Sequence, residues 1–247
     1  MKNTILEKII NKKLNSCKFK DSTYNGLQIE GCKNIKKIIT GVTACQLLLN
    51  EAIKNKAQAI IVHHGYFWDN DPKCIRGFLR TRLKTILSNN INLYSWHLPL
   101  DANLKISNNF YIGKTLNINI KGTLNPYLWW GNFKNFISGK ELYKKIYSIF
   151  KRKPIYISNT NKKIKSVAWC SGKGQKFIHK VLESNIDCFI TGEISEETTH
   201  YARESNIHFF SAGHHATEIG GIKLLSKWLS INYTDLNIKF INIHNPV

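Results

Sequence analysis

The stretch Ile60-Ile61-Val62-His63-His64-Gly65 is three apolar β-formers running straight into two adjacent histidines and a glycine. A short run rich in Ile and Val reads as a buried strand. Side chains alternate faces along a strand, so consecutive imidazoles inside it would point opposite ways. At the strand's end the alternation can break. Gly65 turns the backbone at low steric cost, and both rings can then face one crevice. In open α/β sheets, ligands sit in the crevice at the carboxyl ends of the strands. The plain alternative is two satisfied polar residues at a strand exit, and the surrounding chain decides between them.

On the N-terminal side, residues 37–43 read as a strand and residues 45–56 as a helix with Leu47, Leu48, Leu49 and Ala52 on its apolar side. Further out, Ile5, Ile9, Ile10 and Leu14 recur at helical spacing over residues 4–15. Asn25-Gly26 marks a turn before an extended piece at residues 27–31. On the C-terminal side, residues 75–89 read as a helix. Residues 91–96 read as a third strand, running into His97-Leu98-Pro99-Leu100-Asp101. Alternating strands and helices imply a parallel sheet with right-handed crossovers.

Residues 121–137, with Gly122, Pro126 and Gly131, break this pattern. The expected division is therefore an N-terminal α/β domain over 1–124 and a C-terminal one over 125–247, with the last strand free to return to the first. The second half repeats the first in outline. Residues 164–172 match the strand and turn near Ile39, and a helix over 177–184 follows. Residues 186–193 take the place of 57–65, and residues 206–215 take the place of 91–101. The fold class is α/β: two similar linked domains with mostly parallel sheets. In both halves the second and third strands end in ligand-type residues.

Composition narrows the functional classes. The chain has 247 residues, 43% of them hydrophobic, enough for a sizeable core. Its six cysteines form no CxxC pair and no even framework, and the opening Met1-Lys2-Asn3-Thr4 stretch has no secretory apolar region. A reduced cytoplasmic protein is the expectation. No apolar run reaches the ~20 residues of a membrane helix, so no membrane partner is expected. The net charge of +20 invites a nucleic-acid reading. Yet the lysines are spread along the chain beside abundant Asn and Ile, a set that A/T-rich codons also produce. With no basic stripe interleaved with aromatics, weak nonspecific polyanion binding is the expectation.

The candidate site residues are His63, His64, His97, Asp101, Glu193, His214, His215 and Glu218. His214 and Glu218 share one face if a helix starts near His214, and His215 with Glu218 is a second possible pairing. Imidazole plus carboxylate suits Zn, Fe, Mn or Co better than Ca or Mg alone. A two-metal site needs a bridging carboxylate with ligands on each side, which His63, His64, Asp101, His214 and Glu218 supply. His97 reads as the group that orients Asp101, and Glu193 as either a proton carrier or a helix cap. His200 and His208 read as surface or packing residues, and His179 and His244 lie near no motif. GxSxG, GxGxxG and GxxxxGK[ST] are all absent, which disfavours a serine hydrolase, a Rossmann cofactor and a P-loop.

Five motifs occur in order: Asn25-Gly26-Leu27-Gln28-Ile29-Glu30-Gly31, His63-His64-Gly65, His97-Leu98-Pro99-Leu100-Asp101-Ala102, Thr191-Gly192-Glu193, and Gly213-His214-His215-Ala216-Thr217-Glu218. Together they resemble the GTP cyclohydrolase 1 type 2 homologue family, the NIF-three-like dinuclear-metal proteins, in its short form without a middle insertion. The resemblance implies two divalent ions per subunit in a cleft between the two domains. His63, His64, Asp101, His214 and Glu218 would be the ligands, with Glu218 bridging. It also implies a toroidal homohexamer and a small-molecule substrate, possibly a nucleotide, with a GTP-ring-opening activity reported in some relatives. Glu193 or His97 would move the proton. One departure stands at Asn103, where the family often has a histidine. The competing expectation is a non-catalytic metal-binding, regulatory or metal-delivery oligomer.

Overall fold

The computed structural model describes all residues, 1–247. The chain divides into two compact units, one of residues 1–107 and 221–244 and one of residues 108–220 and 245–247.

The elements run α1 (Asn3–Leu14), β1 (Gly26–Ile29), β2 (Lys37–Thr43), α2 (Gln46–Lys54), β3 (Ala59–His64), α3 (Gly77–Ser88), β4 (Asn92–Ser95) and α4 (Leu98–Ala102). There follow α5 (Asn108–Thr115), β5 (Ile118–Asn125), β6 (Leu128–Ile137), α6 (Gly139–Phe150), β7 (Ile155–Ile157) and β8 (Ile164–Trp169). The chain closes with α7 (Ile178–Glu183), β9 (Cys188–Thr191), α8 (Glu196–Glu204), β10 (His208–Ser211), α9 (His214–Asn232) and β11 (Asn237–Phe240).

In the first unit the sheet order is β1-β4-β3-β2-β11. β4, β3, β2 and β11 pair in parallel, and β1 lies antiparallel against β4. Both faces are covered, which explains the unbroken apolar run before His63. Ile38, Ala59, Ile61 and Tyr94 pack against Leu6, Ile10 and Leu14 of α1 and Ile222, Leu225 and Leu229 of α9. Ile39, Ile60, Val62 and Leu93 pack on the other face against Leu48 and Leu49 of α2 and Leu83 and Ile86 of α3. The period-2 alternation of a strand thus feeds two cores at once. Leu47, expected on the apolar side of α2, is 62% exposed. At a helical period of 3.6 residues, Leu48, Leu49 and Ala52 fill the inward arc and Leu47 falls outside it.

In the second unit the order is β5-β6-β8-β9-β10-β7. β8, β9 and β10 form a parallel centre, flanked by antiparallel β6 and β7. This centre repeats β2, β3 and β4, and in each unit an antiparallel strand borders the third of them, β1 against β4 and β7 against β10. Residues 121–137 are not a junction. They form the β5–β6 hairpin, held in the second sheet by β8. Its Gly122 and Gly131 sit within strands, and the unit boundary falls instead at Ser107 and Asn108. α6 begins with a capping box, Ser138 and Glu141 exchanging hydrogen bonds with each other's backbone. That S-x-x-E signal stands in the sequence. β11 pairs with β2, returning the chain end to the first sheet. None of the six cysteines is bridged, and no helix is long and apolar enough to cross a membrane.

Candidate metal centre

β3 delivers the first donors. His63 is fully buried, and its Nδ1 lies 3.0 Å from the Trp96 carbonyl. A carbonyl only accepts, so Nδ1 carries the proton and Nε2 keeps the lone pair. Nε2 faces Asp101 Oδ2 at 3.5 Å. Two ligands on ~2.1 Å bonds to one ion are roughly 3.0–3.4 Å apart in an octahedral or tetrahedral shell, so the spacing suits coordination better than hydrogen bonding. Asp101 is itself buried, in the single turn of α4 that starts at Leu98-Pro99.

The strand-end alternation does break at His63 and His64. Their ring centroids are 4.5 Å apart, and the His64 ring Nδ1 is 3.2 Å from Thr43 Oγ1 on the neighbouring strand. Gly65 serves this turn by its size and not by a positive φ. A Cβ there would collide with Gln28 Oε1 and Ser95 Cβ. Gln28 fills that space because its amide clamps the turn: Oε1 accepts from Tyr66 N at 2.7 Å, and Nε2 donates to Tyr66 O at 2.9 Å and Tyr24 O at 3.0 Å.

His97 joins the same group. The ligand atoms of His63, His64 and His97 all lie within 4.8 Å of one another and could hold a metal ion. The carboxylate that His97 engages is Asp21, at 2.8 Å from Nδ1, and not Asp101 as expected. Chain proximity misled there, because Asp21 is 76 residues away. Asp21 also accepts from Leu98 N and Asn25 Nδ2, both at 2.9 Å. Burial pushes its carboxyl up, and the bonds and charge from His97, Asn25 and Leu98 outweigh this and hold it below the ordinary aspartate value. Trp68 completes the wall, its ring edge-on to His97 with centroids 4.8 Å apart. Nothing in the sequence around Asp21 or Trp68 marks either residue.

The second unit carries the other set. Gly213, at φ +101°, turns the chain from β10 into α9, which begins at His214. His214 Nε2 then meets Glu218 Oε1 one turn on at 3.0 Å, and Nδ1 meets Glu193 Oε1 at 2.6 Å. Burial lowers the His214 pKa, but the carboxylates of Glu218 and Glu193 on its two nitrogens outweigh burial and push it up to about 9. A metal ion must displace that proton. His214, not His215, pairs with Glu218 through the i, i+4 geometry. Gly172, at φ +60°, gives the carboxylate room: a Cβ there would strike Glu218 Oε1 and crowd His214 Nε2. Thr217 Oγ1 accepts from Gly172 N at 3.0 Å and keeps that loop in place. Glu193 does not cap α8, whose N-cap is Ser195. Its second oxygen accepts from Gln175 Nε2 at 3.3 Å. His208, expected as a packing residue, is buried between Tyr156, Ser158 and the Lys162 carbonyl.

These motifs can now be set beside known proteins. The family model for Duf34/NIF3 (NGG1p interacting factor 3) matches residues 1–246. The chain belongs to the DUF34/NIF3 family. A relative from Buchnera aphidicola subsp. Schizaphis graminum, named GTP cyclohydrolase 1 type 2 homolog, is 59% identical over the full length of both chains. The Escherichia coli K12 protein of the same name is 51% identical, again over the full length of both. Among solved structures of the DUF34/NIF3 fold, protein ybgI, described as of unknown function, superposes with a TM-score of 0.98 at 50% identity, covering all of both chains.

Proposed function

We propose that the two donor sets together hold a pair of divalent ions, Zn, Fe, Mn or Co. In this reading the protein is a metal-dependent hydrolase of a nucleotide or a related small phosphorylated molecule. The observation that carries it is His63: its Nδ1 proton is fixed on the Trp96 carbonyl, and its Nε2 faces the buried Asp101 carboxylate at 3.5 Å. Neutral imidazoles and carboxylates are the donors those ions take. When bound, the ions would supply Lewis acidity toward a phosphoryl or carbonyl oxygen and toward water.

The chain's own residues do the rest. His63, His64 and Asp101 on the first unit and His214 and Glu218 on the second would hold the ions, with Glu218 the shared carboxylate. Asp21 fixes the His97 ring so that Nε2 is the nitrogen left toward the donor group. Glu193 steadies His214 through Nδ1 and is the carboxylate to take up and return a proton; His97 is the other candidate for that role. The relatives' name, GTP cyclohydrolase 1 type 2 homolog, supports a nucleotide as the substrate class. The same reading has the chain working in the cytoplasm as a homo-oligomer, a toroidal hexamer by likeness to the family.

The test is elemental analysis of protein purified without chelator, followed by incubation of Zn-, Fe-, Mn- and Co-loaded protein with a nucleotide panel. About two ions per chain and turnover above a metal-free control support the reading. Less than about half an ion per chain refutes the site. Full metal occupancy without turnover refutes the hydrolase and leaves a metal-binding, regulatory or metal-delivery oligomer.

A further inference from the structure

The first unit carries two adjoining cavities that the metal donors do not fill. The larger, about 630 Å³, is walled by Asn11, Asn25, Tyr24 and Asp21, among others. The smaller, about 390 Å³, is lined by Lys13, Lys18, Lys105 and Asn103. Asn15 and Phe19 line both. We propose that they are two ends of one nucleotide site, with the base in the larger cavity and the phosphates in the smaller. The choice of substrate class rests on the hydrolase reading above; the binding itself does not need the metals.

The larger cavity lies within the size range of small-molecule pockets, roughly 300–1,000 Å³. Its polar groups are amides held in fixed orientations. Asn11 Oδ1 accepts from Trp96 Nε1 at 2.8 Å, which leaves its NH2 group as the donor. Asn25 is held at both ends, by Asp21 Oδ2 at 2.9 Å and by His97 N at 2.8 Å. Oriented amides beside the Phe19 and Tyr24 rings suit a planar heterocycle, read by its edge and stacked on its face. The three lysines of the smaller cavity are point charges suited to phosphate.

Both ends abut the candidate metal donors. Asp21 lines the larger cavity and holds His97. Ala102 and Asn103 line the smaller and directly follow Asp101. A nucleotide seated this way brings its phosphates next to Asp101. Asn103, where relatives often carry histidine, then faces the phosphate end.

A chain of net charge +20 will bind polyanions in any case, so the experiment has to separate base from phosphate. Chelator-treated full-length protein is titrated by calorimetry with GTP, guanosine and tripolyphosphate, and alkylation by iodoacetamide is mapped at Cys17 and Cys74. Both thiols are exposed; Cys17 lines the larger cavity, and Cys74 lies in the loop between β3 and α3 and serves as the control. Saturating GTP should slow Cys17 alkylation at least ~5-fold and leave Cys74 unchanged. Phe19→Ala should weaken GTP and guanosine alike, by roughly 10-fold, through lost stacking. Lys13→Ala combined with Lys105→Ala should weaken GTP by a similar ~10-fold and leave guanosine unaffected. Cys17 protection in the wild type needs no variant to fold. The proposal is overturned if GTP fails to protect Cys17, or if tripolyphosphate binds as tightly as GTP while guanosine neither binds nor protects. Protection by GTP without turnover in metal-loaded protein supports the site and sinks only the hydrolase reading.

Discussion

Gly65→Ala should destabilise the protein well beyond the usual cost of a glycine substitution. The added Cβ would overlap Gln28 Oε1 and Ser95 Cβ, so the Gln28 side chain must leave its place. That side chain makes four hydrogen bonds: to Tyr66 N, Tyr66 O, Tyr24 O and Thr23 Oγ1. At about 1 kcal/mol net for each bond, losing two or three costs about 2–3 kcal/mol. Residual crowding against Ser95 adds of order 1 kcal/mol. At roughly 2–4 °C per kcal/mol for a chain of this size, the midpoint should fall by roughly 6–16 °C in thermal unfolding. Gln28→Ala alone should cost about the same 2–3 kcal/mol, because it deletes the same bonds. The double variant should then be little worse than either single one, a non-additivity that double-mutant cycles resolve. Additive losses, or a Gly65→Ala midpoint within about 1 °C of wild type, would refute the clamp.

Asp21→Asn should lower metal affinity roughly 10–100-fold, since it removes the charge that orients His97 and leaves its shape; wild-type metal retention after dialysis would remove Asp21 from the site. Glu218→Gln should lose both ions together, whereas His63→Ala or His64→Ala should each lose mainly one. A shared carboxylate offsets the repulsion between two cations, and a single ring nitrogen serves one ion; calorimetric stoichiometry with Zn or Mn decides, and two equivalents retained in Glu218→Gln would make Glu193 the next candidate. Asp187 is held down to about 2: burial raises its pKa, and Lys162, the Ser166 and Lys165 amides and the Ser166 hydroxyl outweigh burial. Its folded pKa is depressed, so the stability it adds is present above the unfolded value near ~4 and is lost as pH falls toward the folded one. The wild type should therefore exceed Asp187→Asn by roughly 1–2 kcal/mol near neutrality, after allowing for solvent screening of the exposed Lys162. A gap that stays constant in thermal unfolding down to pH ~2 would show that the charge contributes nothing.

The elements that position the site were legible where their cause is local. The Ile60–Val62 run, the Gly213-His214 helix start and the four-residue step to Glu218 each follow from periodicity and turn chemistry within a few residues. The internal repeat was legible for the same reason, since each half spells out its own strands. The domain boundary was not. Gly122 and Gly131 read as breakers, but pairing with neighbouring strands keeps them in the hairpin.

Only the tertiary structure decided how the donors are held. Asp21 reaches His97 across 76 residues, and Gln28 reaches Tyr66 across 38. It also decided that His63 presents Nε2 and not Nδ1, because the Trp96 carbonyl takes the other nitrogen. Local sequence sets the dihedrals and faces of a segment, whereas the partner of a buried polar atom depends on which distant segment closes over it. Burial makes such an atom costly to leave unpaired, so that partner is fixed by the fold and written nowhere near the residue itself.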